Sequence, residues 1–348
     1  LTGHNGPNAG RFRITFVVLL CLLVLLFFLD LFLGSVSITP GDFFRALFHH
    51  TGGISETIIY KFRFPKAVTA LTVGIALSVS GLQMQTLFRN PMAGPDVLGI
   101  SSGASLGVAF VILGFSADLT PDLISGAGNW AIAAASWVGA GIIMVLMMVI
   151  SMRVRSIMTV LILGIMLSSG ISALVTIMQY FSSESMLKTY IIWSMGSLGN
   201  LTSSQLTVML ISIAAGLVLA NISVKQLNAL LLGENYARSI GLNLQAARFI
   251  SVAATCILAG TVTAFCGPIG FIGIAVPHLA RITLRTADHR VLIPGTVIIG
   301  GSVMLLCDMI SQLPGSESVL PVNSVTALIG IPVVIWVILR NRKFSEIF

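Results

Sequence analysis

Charge is scarce in this 348-residue sequence: Asp, Glu, Lys and Arg together make up 9% of it. So little charge cannot cover a fold with an aqueous surface, which excludes an ordinary soluble domain. Cysteine is scarcer still. Cys21, Cys256, Cys266 and Cys307 stand apart with no CxxC among them, so no zinc or thiol-redox motif is encoded and each reads as a small apolar filler. The five histidines are scattered, and only His278, beside Pro277, falls near an apolar run; a ligand role for it is not expected. No G-x-x-x-x-G-K-[ST] occurs, so the chain is expected not to be an enzyme that hydrolyses ATP by itself. Acids within apolar runs are limited to Asp30 and Asp308. An intramembrane acid is a functional candidate by default, but two near run ends make a thin proton relay, and a helix-capping or helix-bridging role is expected for both.

What is abundant is apolar surface: 56% of the residues are hydrophobic and the mean hydropathy is +1.00. A helix of roughly 20 apolar residues crosses the hydrocarbon core, where backbone groups must be paired within the segment. About ten such runs are expected, near Ile14–Leu33, Ala67–Leu87, Val97–Phe115, Trp130–Met152, Met158–Phe181, Leu206–Val224, Ala246–Cys266, Phe271–Leu284, Val291–Leu313 and Val325–Leu339. The third and eighth are short and glycine-rich. The fold class is therefore an all-α polytopic membrane protein, with one transmembrane domain over residues 1–348. A β-barrel would need alternating strands of about ten residues, which do not occur, and the first run is too long for a signal-peptide core.

Lys and Arg are retained on the cytoplasmic side of short loops. With both termini placed inside, fourteen of the nineteen basic residues are cytoplasmic, and only Arg45, Lys61, Arg63, Lys66 and Lys188 lie outside. This asymmetry accounts for the +7 net charge with membrane lipid as the partner and no nucleic acid. Three of the five outside charges crowd into "KFRFPK" before the second run, an anomaly on a face otherwise poor in cations.

Two stretches interrupt the apolar pattern. "QTLFRNPMAGPDVLGISSGAS" (residues 85–105) and "FCGPIGFIGIAVPHLAR" (residues 265–281) place Gly and Pro at membrane depth, where irregular backbone is tolerated if it is buried in protein or lines a water-filled path. Breaks at comparable places in two halves point to a transport pathway, although residue-level similarity between the halves is weak; loops that merely join packed helices are the plainer alternative. "GISSG" (residues 99–103) also matches a nucleophile elbow around Ser101 or Ser102, but that motif needs a strand-to-helix turn with a His and an acid to follow. Close packing through small residues is the better expectation.

At these residues the chain resembles the FecCD-type permeases, the membrane subunits of type II ABC importers for iron-siderophore, haem and cobalamin. The resemblance rests on "RFPKAVTALTVGIALSVSGLQMQTLFRNPMAGPDVLGISSGASLG", "LLLGENYARSIGLN", "GPIGFIGIAVPHLARI", "DHRVLIPG" and "NSVTALIGIPVVIWVILR", in order from about residue 63 to residue 340. It implies the type II importer permease fold, a homodimer enclosing the path, two cytoplasmic ATPase subunits, an extracytoplasmic substrate-binding protein, and a bacterial cytoplasmic membrane location. It also implies no cofactor in this chain, ATP and Mg being held by the partner ATPase.

By the same resemblance, residues 232–243 match the coupling helix that seats in the ATPase, with Leu232, Glu234, Tyr236, Ala237, Arg238 and Leu242 as contacts. Gly241 independently suits a helix C-terminus, and Arg238 a last turn. Arg63 and Lys66 match basic residues that dock acidic residues of the binding protein; Gln312 stands where some relatives carry a third Arg, and Glu317 follows it. Asn90 and Met92, with Ser156, Ile157 and Met158, match the inner gates, where bulky apolar side chains can close a pore by dewetting. Ferric siderophore is the first substrate expected, cobalamin the second and haem the third. An ion-coupled transporter built on the two breaks and an intramembrane serine enzyme remain as competing classes.

Overall fold

The computed structural model describes residues 7–34, 36, 38–48, 53–114, 128–154, 156–313 and 319–340. Among them every regular element is a helix. In chain order these are α1 (Pro7–Phe32), α2 (Pro40–Phe48), α3 (Ile54–Ile58), α4 (Phe64–Leu87), α5 (Ile100–Leu113), α6 (Gly128–Arg153), α7 (Ile157–Phe181) and α8 (Glu184–Ser194). There follow α9 (Ser203–Ile222), α10 (Val224–Leu231), α11 (Glu234–Ser239), α12 (Leu244–Cys266), α13 (Ile272–Leu284), α14 (His289–Ser311) and α15 (Val322–Arg340). Seven of these are long and apolar enough to cross a membrane, and α5, α13 and α15 are shorter apolar helices. The ten correspond to the ten expected runs. Both segments read as short from sequence, α5 and α13, are short.

The second run begins earlier than expected. Helix α3 continues through a π-helical turn, Ile59–Arg63, into α4. Pro65 has no N–H to offer the carbonyl four residues back, and Phe64 N–H bonds instead to Ile59 O, five residues back. The widened turn carries Lys61 and Arg63.

Helix α4 is the centre of the bundle. It packs against α14, α12, α13, α9 and α1, and α4, α12 and α14 are buried over most of their apolar length, whereas α1, α6, α7 and α9 are buried over less than a third. Without a hydrophobic driving force in lipid, such packing relies on close backbone approach at small residues. A Cβ on Gly74 would collide with Gly300 O of α14, and one on Gly81 with Gly273 O of α13. The "GISSG" stretch works in the same way: Gly103 of α5 lies against Gly139 and Ile143 of α6. Cys256, Cys266 and Cys307 are free and buried among apolar neighbours, while Cys21 is exposed.

Candidate functional site

The short polar segment after α10 forms a knob at one end of the bundle. Gly233, at φ 114, admits no ordinary side chain and turns the chain into α11. The helix stops at a Schellman motif: Leu242 N–H bonds to Ala237 O at 3.0 Å and Gly241 N–H to Arg238 O at 3.0 Å, with Gly241 left-handed at φ 82. Inside this closure Ala237 is fully buried and packs, with half-buried Leu242, into the core beneath. Ala237 is therefore corrected from a partner-contact residue to an anchor of the knob, because its Cβ faces inward. Leu232, Tyr236 and Arg238 are exposed. Ile240, 56% exposed, escaped the sequence reading, although Leu232, Tyr236 and Ile240 recur every four residues through a polar stretch. Glu234 faces back toward the bundle, with Oε1 2.7 Å from Nη2 of Arg248 on α12.

The first interruption lies beside this knob. Helix α4 ends with Arg89 N–H on Thr86 O and Asn90 N–H on Gln85 O, and Arg89 takes the left-handed conformation at φ 48 that glycine usually supplies. Asn90 then shapes the loop: its Oδ1 accepts from Met92 N–H at 2.9 Å and its carbonyl from Ala93 N–H at 3.0 Å. Met92 is 41% exposed and Met158, on the first turn of α7, is 52% exposed. Ser156 caps α7, its Oγ accepting from Thr159 N–H at 3.3 Å. The side chain of Ile157 lies outside the described residues, as does Glu317. After the loop, a 3₁₀ turn at Pro95–Leu98 leads through left-handed Gly99 into α5 and packs against α7.

Helix α13 joins the two interruptions. It starts at the second, where Gly267 and Phe271 have positive φ and Gly270 N–H bonds to Asn323 Oδ1 of α15 at 3.0 Å. It then runs past the first, with Gly273 and Ile274 against Pro95 and Gly94 and His278 Nε2 2.8 Å from Pro91 O. His278 is thus a brace for the loop. Arg281 donates to Gln85 Oε1 at 2.5 Å, and Gln85 donates to Ile274 O at 3.1 Å, tying α13 to the end of α4. Ser101, the elbow candidate, donates to Asp96 Oδ1.

At the opposite end the basic cluster is drawn into the fold. Arg63 is buried, and its guanidinium donates to Leu31 O at 3.0 Å, Phe32 O at 2.5 Å and Val36 O, closing the C-terminus of α1. Lys66, its side chain 20% exposed, has Nζ 3.0 Å from Asp308 Oδ1. Gln312 donates to Asp308 Oδ2 at 2.8 Å and to Asp30 Oδ1 at 3.4 Å. Both acids therefore bridge helices α1, α4 and α14, as expected. The expectation of two solvent-facing cations changes: Arg63 is a helix-end clamp because the last carbonyls of α1 need donors, and Lys66 is the partly exposed member. Arg63, Lys66 and Gln312 line a cavity of about 470 Å³. A second hollow of about 380 Å³, lined by Trp193, Gln205, Phe265 and Pro321 among others, shares Gly196, Ser197 and Asn200 with it.

With this geometry established, comparison with known proteins is direct. The profile of the FecCD transport family matches residues 22–340. The vitamin B12 import system permease protein BtuC of Escherichia coli O9:H4 (strain HS) is 37% identical over 328 residues, covering 93% of this chain and 95% of that protein; the protein of strain K12 / DH10B gives the same figures. Among solved structures, a metal-chelate type ABC transporter described in an inward-facing conformation superposes with a TM-score of 0.79 at 27% identity, covering 95% of this chain and 99% of that one. PsaBC from Streptococcus pneumoniae, solved with a Fab, shares the fold at a TM-score of 0.54 and 16% identity over 84% of this chain and 98% of that one. The chain belongs to the FecCD transport family, and is an ABC importer permease of that type.

Proposed function

We propose that two copies of this chain enclose a passage by which a large metal chelate enters the cell, opened by two ATPase subunits seated on the α11 knobs and loaded by a binding protein at the Lys66 end. The observation that carries this reading is the knob itself. Tyr236 and Arg238 on the short helix α11, with Leu232 and Ile240 flanking it, present an exposed, largely apolar surface held rigid by Ala237 and Arg248, a form suited to a protein groove. The charge asymmetry of the sequence supports a cytoplasmic location for that end and for both termini.

The gate is assigned to Asn90, Met92, Ser156, Ile157 and Met158. Exposed Met92 and Met158 at the knob end support apolar closure between copies, with Asn90 and Ser156 shaping the two segments. Contacts with the ATPase are assigned to Leu232, Glu234, Tyr236, Arg238, Ile240 and Leu242. At the other end, Lys66 and the cavity beside it form the docking rim, which Arg63 braces from within. Complementary charge there would orient the encounter with an acidic partner.

We take cobalamin as the first substrate reading, supported by the likeness to B12 permeases, and ferric siderophore, ahead of it on the sequence alone, as the second, supported by the likeness to a metal-chelate transporter. The test is reconstitution of the permease with its ATPase and binding protein in vesicles, followed by ATP-dependent uptake of cobalamin, a ferric siderophore and haem. Uptake of none of the three, or uptake without the ATPase, overturns the proposal.

A further inference from the structure

Three polar contacts fasten helix α10 to the end of α4. At its start, Gln83 Nε2 donates to Ser223 Oγ at 3.0 Å. At its middle, Asn228 Oδ1 accepts from His289 N–H at 2.8 Å, and the ring of His289 reaches Thr86 Oγ1 at 2.9 Å. At its end, Arg89 Nη2 donates to Leu230 O at 3.0 Å, where the last carbonyls of a helix need donors and the dipole favours a cation. The third contact differs from the others in its place. Arg89 is the residue before Asn90, in a backbone conformation that non-glycine residues rarely adopt, and the same nitrogen would lie 3.3 Å from a Cβ on Gly233, the hinge into α11.

We propose that Arg89 is the positioning residue that makes the ATPase-coupling segment and the Asn90–Met92 loop move as one body. The proposal rests on the transport reading above and deepens it. Displacement of α11 pulls on the end of α10, and the shortest polar route from there to the loop is one guanidinium. Gln83 directly, and Thr86 through His289 of α14, hold the rest of α10 against α4, so they set where the segment sits. Arg89 alone of the three stands on the loop side of the end of α4, next to Asn90. Its unusual backbone conformation aims the side chain at Leu230 while the chain beyond turns toward Met92.

The experiment uses the assembled complex in a Cys21→Ser background, with Met92→Cys carrying a spin label on both permease copies. Arg89→Gly removes the guanidinium while relieving the left-handed backbone, so folding is preserved. In the parent complex, ATP changes the distance between the two labels. With Arg89→Gly the ATPase still binds and hydrolyses ATP, the distance change is lost, and in unlabelled complexes that keep Met92 ligand imported per ATP falls about tenfold relative to the unlabelled parent, within the usual range of coupling between sites. An unaltered distance change and an unaltered ratio overturn the inference alone. Failure of Arg89→Gly to bind the ATPase overturns it too, by assigning Arg89 to assembly. Labels in the parent complex that never respond to ATP overturn the transport reading and this inference together.

Discussion

Glu234, the first residue of α11, and Arg248 of the transmembrane helix α12 are joined at 2.7 Å. The contact connects a surface element to the bundle through one partly buried pair: the side chain of Arg248 is 9% exposed and that of Glu234 30%. An ordered knob binds a partner with less loss of conformational freedom than a loose one.

Glu234→Ala is therefore expected to weaken capture of the ATPase by about tenfold, the scale of one charge-assisted hydrogen bond of roughly 1.5 kcal/mol. Glu234→Gln keeps an acceptor and should lose less. Titration of purified permease against the ATPase in detergent measures both. Equal affinity for parent and Glu234→Ala would show that the knob is ordered by its backbone alone.

Lys66 and Asp308 separate a structural from a docking role. Asp308 is fully buried, so Lys66→Met leaves it without its cation and should destabilise the permease by about 2–4 kcal/mol. Adding Asp308→Leu removes the orphaned charge and should recover most of the loss, read as the melting temperature in detergent. If Lys66 also meets the binding protein, uptake at low salt stays depressed in the double variant although stability has returned. Full recovery of uptake would confine Lys66 to structure.

Adjacent residues of α11 should behave oppositely. Tyr236 is 48% exposed and Ala237 wholly buried. Tyr236→Ser is expected to leave the melting temperature unchanged and reduce ATPase binding, whereas Ala237→Asp forces a carboxylate into the core and should lower stability itself. Two measurements on each variant, melting and partner affinity, decide the point.

Close helix crossing predicts a contrast among glycines. Gly81→Ala drives a methyl group into the backbone of Gly273, and should cost about 3 kcal/mol or more, the upper range for overpacking. Gly141→Ala meets nothing within 4 Å and should be tolerated or slightly stabilising. Yield of monodisperse permease and its melting temperature report the difference.

Ten apolar helices were legible because crossing a bilayer sets the length and hydropathy of a run whether it faces lipid or other helices, so both locate it without its neighbours. The short α5 and α13 were legible as well, since Gly and Pro mark where their runs fail. Amphipathic α2 and the short helix α8 were not, as neither is long or apolar enough to stand out. Gly241 announced the end of α11 by its residue type. Arg89 gave no such sign: nothing in "LFRNP" marks an arginine in a glycine-like conformation, and its partner Leu230 lies 141 residues away.

Composition alone determined that the chain lives in a bilayer, because a surface with so little charge has no stable arrangement in water. Order of motifs determined the family. Tertiary structure decided what each charge is for. In "KFRFPK" the cations look alike, yet one closes a helix end and another neutralises a buried acid from a distant helix. In "GENYARSIGLN" Ala237 points inward while its neighbours Tyr236 and Arg238 point out. The physical reason is common to all these cases: a side chain's role follows from which carbonyl, carboxylate or apolar surface the packing brings within reach, and those partners lie far away along the chain.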